Sequence, residues 1–119
     1  MDKIITIDGK NIKFRATART PRLYRMLTQR DLIRDFNNLS IHYQNVMDSD
    51  EEQFLSVDDL VIFENAAYVM AKHADPDMLY KSADEWLDSF EMFSIWEILP
   101  QLLDLWRLNN IQTSTPKKK

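Results

Sequence analysis

The chain has 119 residues, a net charge of −4, no cysteine and a single glycine, Gly9. This length suits one domain with a modest core, and the missing cysteines exclude disulfide frameworks and cysteine-based zinc modules. One glycine also excludes glycine-rich phosphate loops, the G-x-S-x-G nucleophile motif and turn-rich all-β folds, so a mainly helical domain is expected.

The first elements predicted are two short strands over residues 3–17. Apolar and polar residues alternate on both sides of Asp8 and Gly9, a dipeptide that tolerates the positive φ angles of a tight hairpin turn. Two strands alone are only marginally stable. The hairpin must therefore pack on a helix or pair with another chain, and its open edges are a candidate assembly surface.

Two helices are predicted next, over residues 20–29 and 31–46. Thr20 followed by Pro21 is typical of a helix start with Thr20 as the N-cap, and Asp31 is the expected N-cap of the second helix. The apolar stripes of the two segments are out of step around Gln29. A single bent helix is the alternative.

A central helix is predicted over residues 57–74. Ser56 and Asp59 fit a capping box at its start. The segment is apolar on nearly every face, which indicates a buried helix, although part of it could instead serve a partner protein.

The C-terminal part predicts two further helices. Each starts at a capping box, formed by Ser82 and Glu85 in the first and by Ser94 and Glu97 in the second, and the second contains Pro100, which should kink it. The fold class expected is mainly α (α+β), an N-terminal hairpin followed by about five helices in a compact bundle. Residues 1–108 form this single domain, with helices over 20–106, and residues 109–119 form a flexible basic tail.

Charge is distributed unevenly along the chain. Residues 10–34 hold eight basic side chains and one acidic side chain, whereas residues 48–97 hold fourteen acidic and two basic ones. Opposite charges on two surfaces can guide docking within the chain or between copies. Four arginines form a candidate charged assembly surface: Arg19, Arg22, Arg25 and Arg30.

Those arginines also raise the question of nucleic acid, because phosphate contacts need a basic patch. Asp31 and Asp35 interrupt the patch and the whole chain is acidic, so the sequence argues against a nucleic-acid partner. The arginines are equally explained as the polar face of an amphipathic helix.

No catalytic or metal site is predicted, and no cofactor. His73, Asp75 and Asp77 are close in sequence, but Asp75 precedes Pro76 and ends a helix, and His42 is the only other histidine. The adjacent acids at residues 58–59 and 84–85 point in different directions on a helix and suit the dipole of a first turn. The chain is therefore not expected to be an enzyme.

Protein binding is the remaining possibility, because five large aromatic residues are concentrated near the C-terminus: Trp86, Phe90, Phe93, Trp96 and Trp106. Core packing explains such a stripe. However, three tryptophans and six methionines are a large share for one small core. A surface rich in aromatic and methionine side chains suits a protein that holds an unfolded or helical client, so these five are the candidate client-binding residues.

The sequence resembles the tail assembly chaperones of long-tailed phages and prophages of Gram-positive bacteria. The resemblance runs nearly end to end and is carried by residues 7–10, 16–36, 63–76 and 84–106 and by the ending TSTPKKK. The chain departs from the family pattern at residue 29. The family often has glycine there, before an arginine and an aspartate, whereas this chain has Gln29. The resemblance therefore does not imply a sharp left-handed turn there.

The resemblance implies a non-enzymatic chaperone. Such proteins bind the long helical tape-measure protein, keep it soluble and help recruit tail-tube subunits, and they act in the host cytoplasm without entering the mature virion. Many are made in a second form, in which a ribosomal frameshift adds a C-terminal extension that recruits tube protein. The ending Lys117–Lys119 fits a slippery run because lysine codons are rich in adenine.

The expected partners are thus the tape-measure protein, tail-tube protein through such an extension, and other copies of the chain. No membrane partner is expected, because no apolar run reaches the length of a membrane span and no signal peptide is evident. Two other functions are open: a structural head–tail joining component, and a small nucleic-acid-binding regulator.

Overall fold

The computed structural model describes residues 1–51 and 54–114, with side chains described up to residue 108. Two strands and five helices follow one another in these ranges: β1 (Asp2–Ile7), β2 (Lys10–Arg15), α1 (Thr20–Thr28), α2 (Leu32–Asp48), α3 (Val57–Ala74), α4 (Ala83–Asp88) and α5 (Ile95–Ser114). The predicted mainly α fold, with an N-terminal hairpin followed by five helices, is confirmed.

The hairpin has the predicted turn. The strands pair antiparallel with Ile5 opposite Ile12, and Asp8 and Gly9 have φ angles of 54° and 76°. Positive φ at both positions matches the right-handed twist of the strands. The turn is also fixed from outside, because the Asp8 carboxylate accepts a 2.9 Å hydrogen bond from the backbone N–H of Glu91.

The hairpin packs on the helices, as its marginal stability alone requires. Strand β2 lies against α3 and β1 against α5. One face of the hairpin supplies Ile5, Ile7 and Phe14 to the core. The Phe14 ring meets Trp86 of α4 edge to face with 6.2 Å between ring centroids.

Helix α1 starts differently from the prediction. Its N-cap is Arg19 without a side-chain cap, so Thr20 is not the capping residue. Thr20 is buried, and its hydroxyl oxygen accepts a 2.8 Å hydrogen bond from the backbone N–H of Thr17. The hydroxyl therefore stabilises the turn before the helix, and Pro21 occupies the first turn as expected.

Helices α1 and α2 are separate, so the alternative of one bent helix is wrong. Gln29 ends α1 in the left-handed region with φ 63° and ψ 24°. Asp31 is the N-cap of α2 and accepts a 3.0 Å hydrogen bond from the backbone N–H of Ile33, as predicted. The chain thus makes a left-handed turn at Gln29 without a glycine.

Helix α3 is central over most of its length. Its capping box is present, with the Ser56 hydroxyl accepting from Asp59 N–H at 3.0 Å and the Asp59 carboxylate accepting from Ser56 N–H at 3.2 Å. Most residues from Ile62 to Ala71 are buried. The first turn, in contrast, leaves Val57 exposed.

Helix α4 has the predicted cap at Ser82, whose hydroxyl accepts from Glu85 N–H at 3.1 Å. The Glu85 carboxylate accepts from the N–H of Lys81, one residue before the position that a capping box uses.

Helix α5 is longer than predicted, because it continues beyond residue 106 to Ser114. The residues from 107 to 114 include no glycine or proline, so none of them is a strong helix breaker. Pro100 lies inside the helix, and the kink expected there stays a prediction. The flexible tail predicted for 109–119 is helical up to Ser114, and the rest lies outside the described residues. No helix in the described ranges has a stretch long and apolar enough to cross a membrane.

Candidate functional site

Two of the three residues in the apolar stripe of α1 are exposed to solvent, and the third, Leu23, packs against the edge of the core. Tyr24 and Thr20 are the buried residues of this helix, and Leu23 is only half-buried. Met26 is 66% exposed and Leu27 is 46% exposed. Helix α1 therefore presents a ridge of large apolar side chains to solvent.

A polar network occupies the inner side of α1 instead. The Tyr24 hydroxyl donates a 2.9 Å hydrogen bond to the Asp35 carboxylate of α2. Arg30 donates two further bonds to the same carboxylate, Nε to Oδ2 at 2.7 Å and Nη2 to Oδ1 at 3.1 Å. This network joins the two helices across the Gln29 turn and fixes the rotation of α1.

The network keeps Asp35 ionised. Burial alone would raise the pKa of the Asp35 carboxyl, but the hydrogen bonds from Arg30 and Tyr24 and the charge of Arg30 hold it below its usual value. Burial, followed by the bond to Asp35, raises the pKa of the Tyr24 hydroxyl. Tyr24 is therefore the hydrogen-bond donor and Asp35 the acceptor at neutral pH.

The exposed ridge borders a groove between α1 and the C-terminal half of α3. The groove has a volume of about 390 Å³, and its lining is mostly apolar: Leu23, Met26, Leu27, Tyr68, Val69 and Pro76, with Arg19, Lys72 and His73. That volume lies in the range of about 300–1,000 Å³ typical of binding pockets. We call this feature the α1–α3 groove.

Two basic side chains, Arg19 and Lys72, line the α1–α3 groove, and none of its described lining residues is acidic. Two exposed acidic residues, Asp75 and Asp77, flank the lining residue Pro76 in the sequence. Burial, and then the charges of Arg15 and Arg19, lower the pKa of His73, so this imidazole is neutral at neutral pH. The groove thus combines an apolar floor with two cations, which favours an apolar ligand that carries acidic residues.

The predicted charged surface is only partly available. Arg19, Arg22 and Arg25 are exposed. Arg30 is held by the bonds to Asp35 and lies 3.6 Å from the Asp58 carboxylate at the start of α3. Arg30 thus joins α1 to α2, but its side chain is still 41% exposed, and its membership of the charged assembly surface stays a prediction.

The five aromatic residues predicted to face a client do not lie on one surface. Trp86 is 2% exposed. It is the centre of an aromatic cluster in which the rings of Tyr68, Phe90 and Phe93 lie 6.0, 5.2 and 5.4 Å from it between centroids. Trp86 is therefore a core residue, and its prediction as a client contact is wrong.

Phe90 and Phe93 are partly buried in the same cluster, and Trp106 packs edge to face on Phe36 at 6.2 Å. Trp96 differs from them, because it is 46% exposed and stacks at 5.9 Å on Tyr43 of α2. Only Trp96 among the five presents a large free face.

The two histidines considered in the sequence differ in their contacts, because the Nδ1 atom of His73 is buried without a hydrogen-bond partner whereas His42 has one. His42 Nδ1 lies 2.9 Å from the Asp59 carboxylate, which also belongs to the capping box of α3. Within the described part of the chain, no group of three or more histidine or acidic side chains is placed to hold a metal ion.

Sequence reasoning missed the α1–α3 groove. It identified the stripe of Leu23, Met26 and Leu27 but not that this stripe lies on the outside. The sequence signal that indicates this orientation is Tyr24 followed by the charged residues Arg30 and Asp35, because a buried tyrosine hydroxyl needs a hydrogen-bond partner.

No protein-family model, curated protein or solved structure matches the chain.

Proposed function

We propose that this protein is a phage tail assembly chaperone that binds helical segments of a tape-measure protein and keeps that protein soluble until tail-tube subunits assemble around it. The observation that carries the proposal is the α1–α3 groove, with Met26 and Leu27 exposed at its edge. The end-to-end sequence resemblance to these chaperones supplies the identity of the client.

The groove suits an amphipathic helix. Such a helix inserts apolar side chains spaced three and four residues apart into a groove on its partner. Met26 is unbranched and polarisable, so it can adapt to different apolar side chains along a long client. Arg19 and Lys72 at the rim would favour client helices with acidic residues beside the apolar stripe.

The lining of the α1–α3 groove is suited to binding rather than to catalysis. Its lining is mostly apolar, and the Tyr68 hydroxyl is engaged with the Tyr80 carbonyl oxygen at 3.3 Å. We therefore propose a non-enzymatic holding function, exercised in the host cytoplasm during tail assembly and without the chaperone entering the finished particle.

Co-expression with the tape-measure protein tests the proposal. Met26→Asp places a charge on the apolar edge of the groove and should weaken client binding roughly tenfold. The soluble fraction of tape-measure protein should fall accordingly. Met92→Asp is the matched control, because Met92 is 70% exposed and lies away from the groove.

Equal client solubility with both variants would contradict the groove as the client site. Two alternatives predict other results. A head–tail joining component would be found in purified particles, from which a chaperone is absent. A nucleic-acid-binding regulator would bind DNA with a steep dependence on salt concentration.

A further inference from the structure

A second groove lies between α2 and α5. These helices run antiparallel, because Tyr43 stacks on Trp96 in the first turn of α5, whereas Phe36, earlier in α2, meets Trp106 further along α5. The groove lies at the second of these ring contacts and has a volume of about 340 Å³, within the range of about 300–1,000 Å³ typical of binding pockets. We call it the α2–α5 groove.

The α2–α5 groove can accommodate an apolar side chain. Phe36 and Leu103 are buried at its base. Ile33, at its side, is 55% exposed, and Trp106 is only partly buried. An apolar group placed there would cover surface that α2 and α5 leave open to water.

Two arginines line the α2–α5 groove, Arg34 from α2 and Arg107 from α5. Arg34 is exposed and makes no ion pair with any residue that the structure describes. Arg107 lies 3.7 Å from Asp104, but both side chains are more than half exposed, so that pair is weak. The one acidic residue among the described lining, Asp31, is engaged as the N-cap of α2.

We propose that the α2–α5 groove is a second docking site, which binds an acidic segment of a partner protein that carries a large apolar side chain beside its carboxylates. Arginine forms paired, charge-assisted hydrogen bonds with carboxylates, and Arg34 also lies in the first turn of α2, where the helix dipole favours anions. Asn37 and Ser40 add neutral hydrogen-bond donors to the lining.

The charge distribution favours a polypeptide over a nucleic acid. Nucleic-acid binding needs a series of cations that follows the phosphate backbone, whereas this groove has two, and Asp31 and Asp104 lie beside them. An isolated group of carboxylates next to an apolar side chain matches two arginines beside an apolar base.

The proposal goes beyond the holding of a client. The described linings of the α1–α3 groove and the α2–α5 groove have no residue in common. One chain could therefore hold a client helix at the first groove and an acidic partner at the second at the same time.

The indole N–H signals of the three tryptophans test the site without any tape-measure protein, so the outcome is independent of the proposed function. Trp106 lines the groove, Trp86 is in the core and Trp96 lies outside the groove lining. The probes are synthetic peptides with two leucines, two phenylalanines or two tryptophans between two pairs of glutamates, and the same peptides with glutamine in place of glutamate. At least one acidic peptide should shift the Trp106 signal saturably and leave Trp86 in place, and its glutamine version should bind roughly tenfold more weakly.

Paired substitutions test the two arginines. Arg34→Gln with Arg107→Gln should weaken binding of the acidic peptide roughly tenfold. Arg22→Gln with Arg25→Gln is the matched control, because it removes the same charge outside the groove lining and should change the affinity by less than about twofold. All four side chains are exposed, so both variants should fold.

Four results would overturn the proposal. They are a Trp106 signal that no acidic peptide moves, acidic peptides that move only the Met26 methyl signal at the α1–α3 groove, equal loss of affinity in the two paired variants, and a thymidine oligonucleotide that moves Trp106 at lower concentration than every peptide. The last result would assign the groove to nucleic acid instead.

Discussion

At the scale of single residues, the junction between α1 and α2 depends on the side chains of Arg30 and Asp35. The Asp35 side chain is 2% exposed and would be an uncompensated buried charge without Arg30. Tyr24 completes the arrangement from α1. These residues orient α1, and that orientation places Met26 and Leu27 at the edge of the groove.

Arg30→Ala should lower the free energy of unfolding by about 2–3 kcal/mol, because it removes two charge-assisted bonds to a buried carboxylate. Arg22→Ala is the control, since Arg22 is exposed and its loss should cost less than about 0.5 kcal/mol. Urea unfolding measures both values. A similar cost for the two variants would show that the network does not stabilise the junction.

The ion pair between Arg30 and Asp35 also predicts that the stability of the protein depends on pH. The pKa of Asp35 is lower in the folded chain than in the unfolded chain. Its contribution to the free energy of unfolding is therefore fully present above the unfolded pKa of about 3.9, and it is lost as the pH falls through the folded pKa. The difference in stability between wild type and Arg30→Ala should therefore shrink towards pH 2. Thermal unfolding from pH 7 to pH 2 checks this, and a constant difference would contradict it.

Gln29 carries backbone strain, because its φ of 63° lies in the left-handed region that glycine adopts without cost. Gln29→Gly should therefore stabilise the protein by about 0.5–1 kcal/mol. Gln44→Gly, within α2, should destabilise it by a similar amount. Chemical denaturation distinguishes the two, and destabilisation by both would mean that the Gln29 side chain matters more than its backbone.

At the scale of elements, the chain order and type of every helix and strand follow from local signals. The Asp8-Gly9 turn, the Asp31 cap and the Ser56 capping box are short-range patterns, and each forms as predicted. The orientation of an element, in contrast, depends on contacts with residues that are distant in the sequence. Helix α1 turns Tyr24 inward because Asp35, eleven residues later, supplies the partner of its hydroxyl, and the hydrophobic stripe alone does not contain that information.

The aromatic residues of α4 and α5 illustrate the same limit. Composition alone places Trp86 and Trp96 in one candidate surface. In the fold, rings from the hairpin, from α3 and from the segment after α4 surround Trp86, whereas Trp96 is left exposed. Burial depends on which elements meet, and sequence spacing between residues 86 and 106 does not specify that.

Alanine substitutions separate the two tryptophans. Trp86→Ala should cost about 3–5 kcal/mol, because it opens a cavity at the centre of the aromatic cluster. Trp96→Ala should cost about 1 kcal/mol, the value of its ring contact with Tyr43. Equilibrium unfolding in urea gives both numbers, and comparable losses would contradict the burial that the structure assigns.

At the scale of the whole molecule, charge and apolar surface are separated along α3. Phe54 and its acidic neighbours lie at one end, and the groove with Arg19 and Lys72 lies at the other. The two charge windows of the sequence do not correspond to these ends, because Lys72 lies within the acidic window of residues 48–97. Only the fold brings Lys72 beside Arg19 of the basic window, and this makes the groove a candidate binding surface.

The central claim is that the α1–α3 groove binds tape-measure helices, and methyl NMR tests it most directly. The six methionines include Met26 at the groove, Met92 on another surface and Met70 in the core. Overlapping tape-measure fragments would be titrated into a dilute sample of the protein labelled with ¹³C at its methionine methyl groups. We predict that at least one fragment shifts the Met26 methyl signal saturably and leaves Met92 and Met70 in place; a Met26 signal that no fragment moves would contradict the claim.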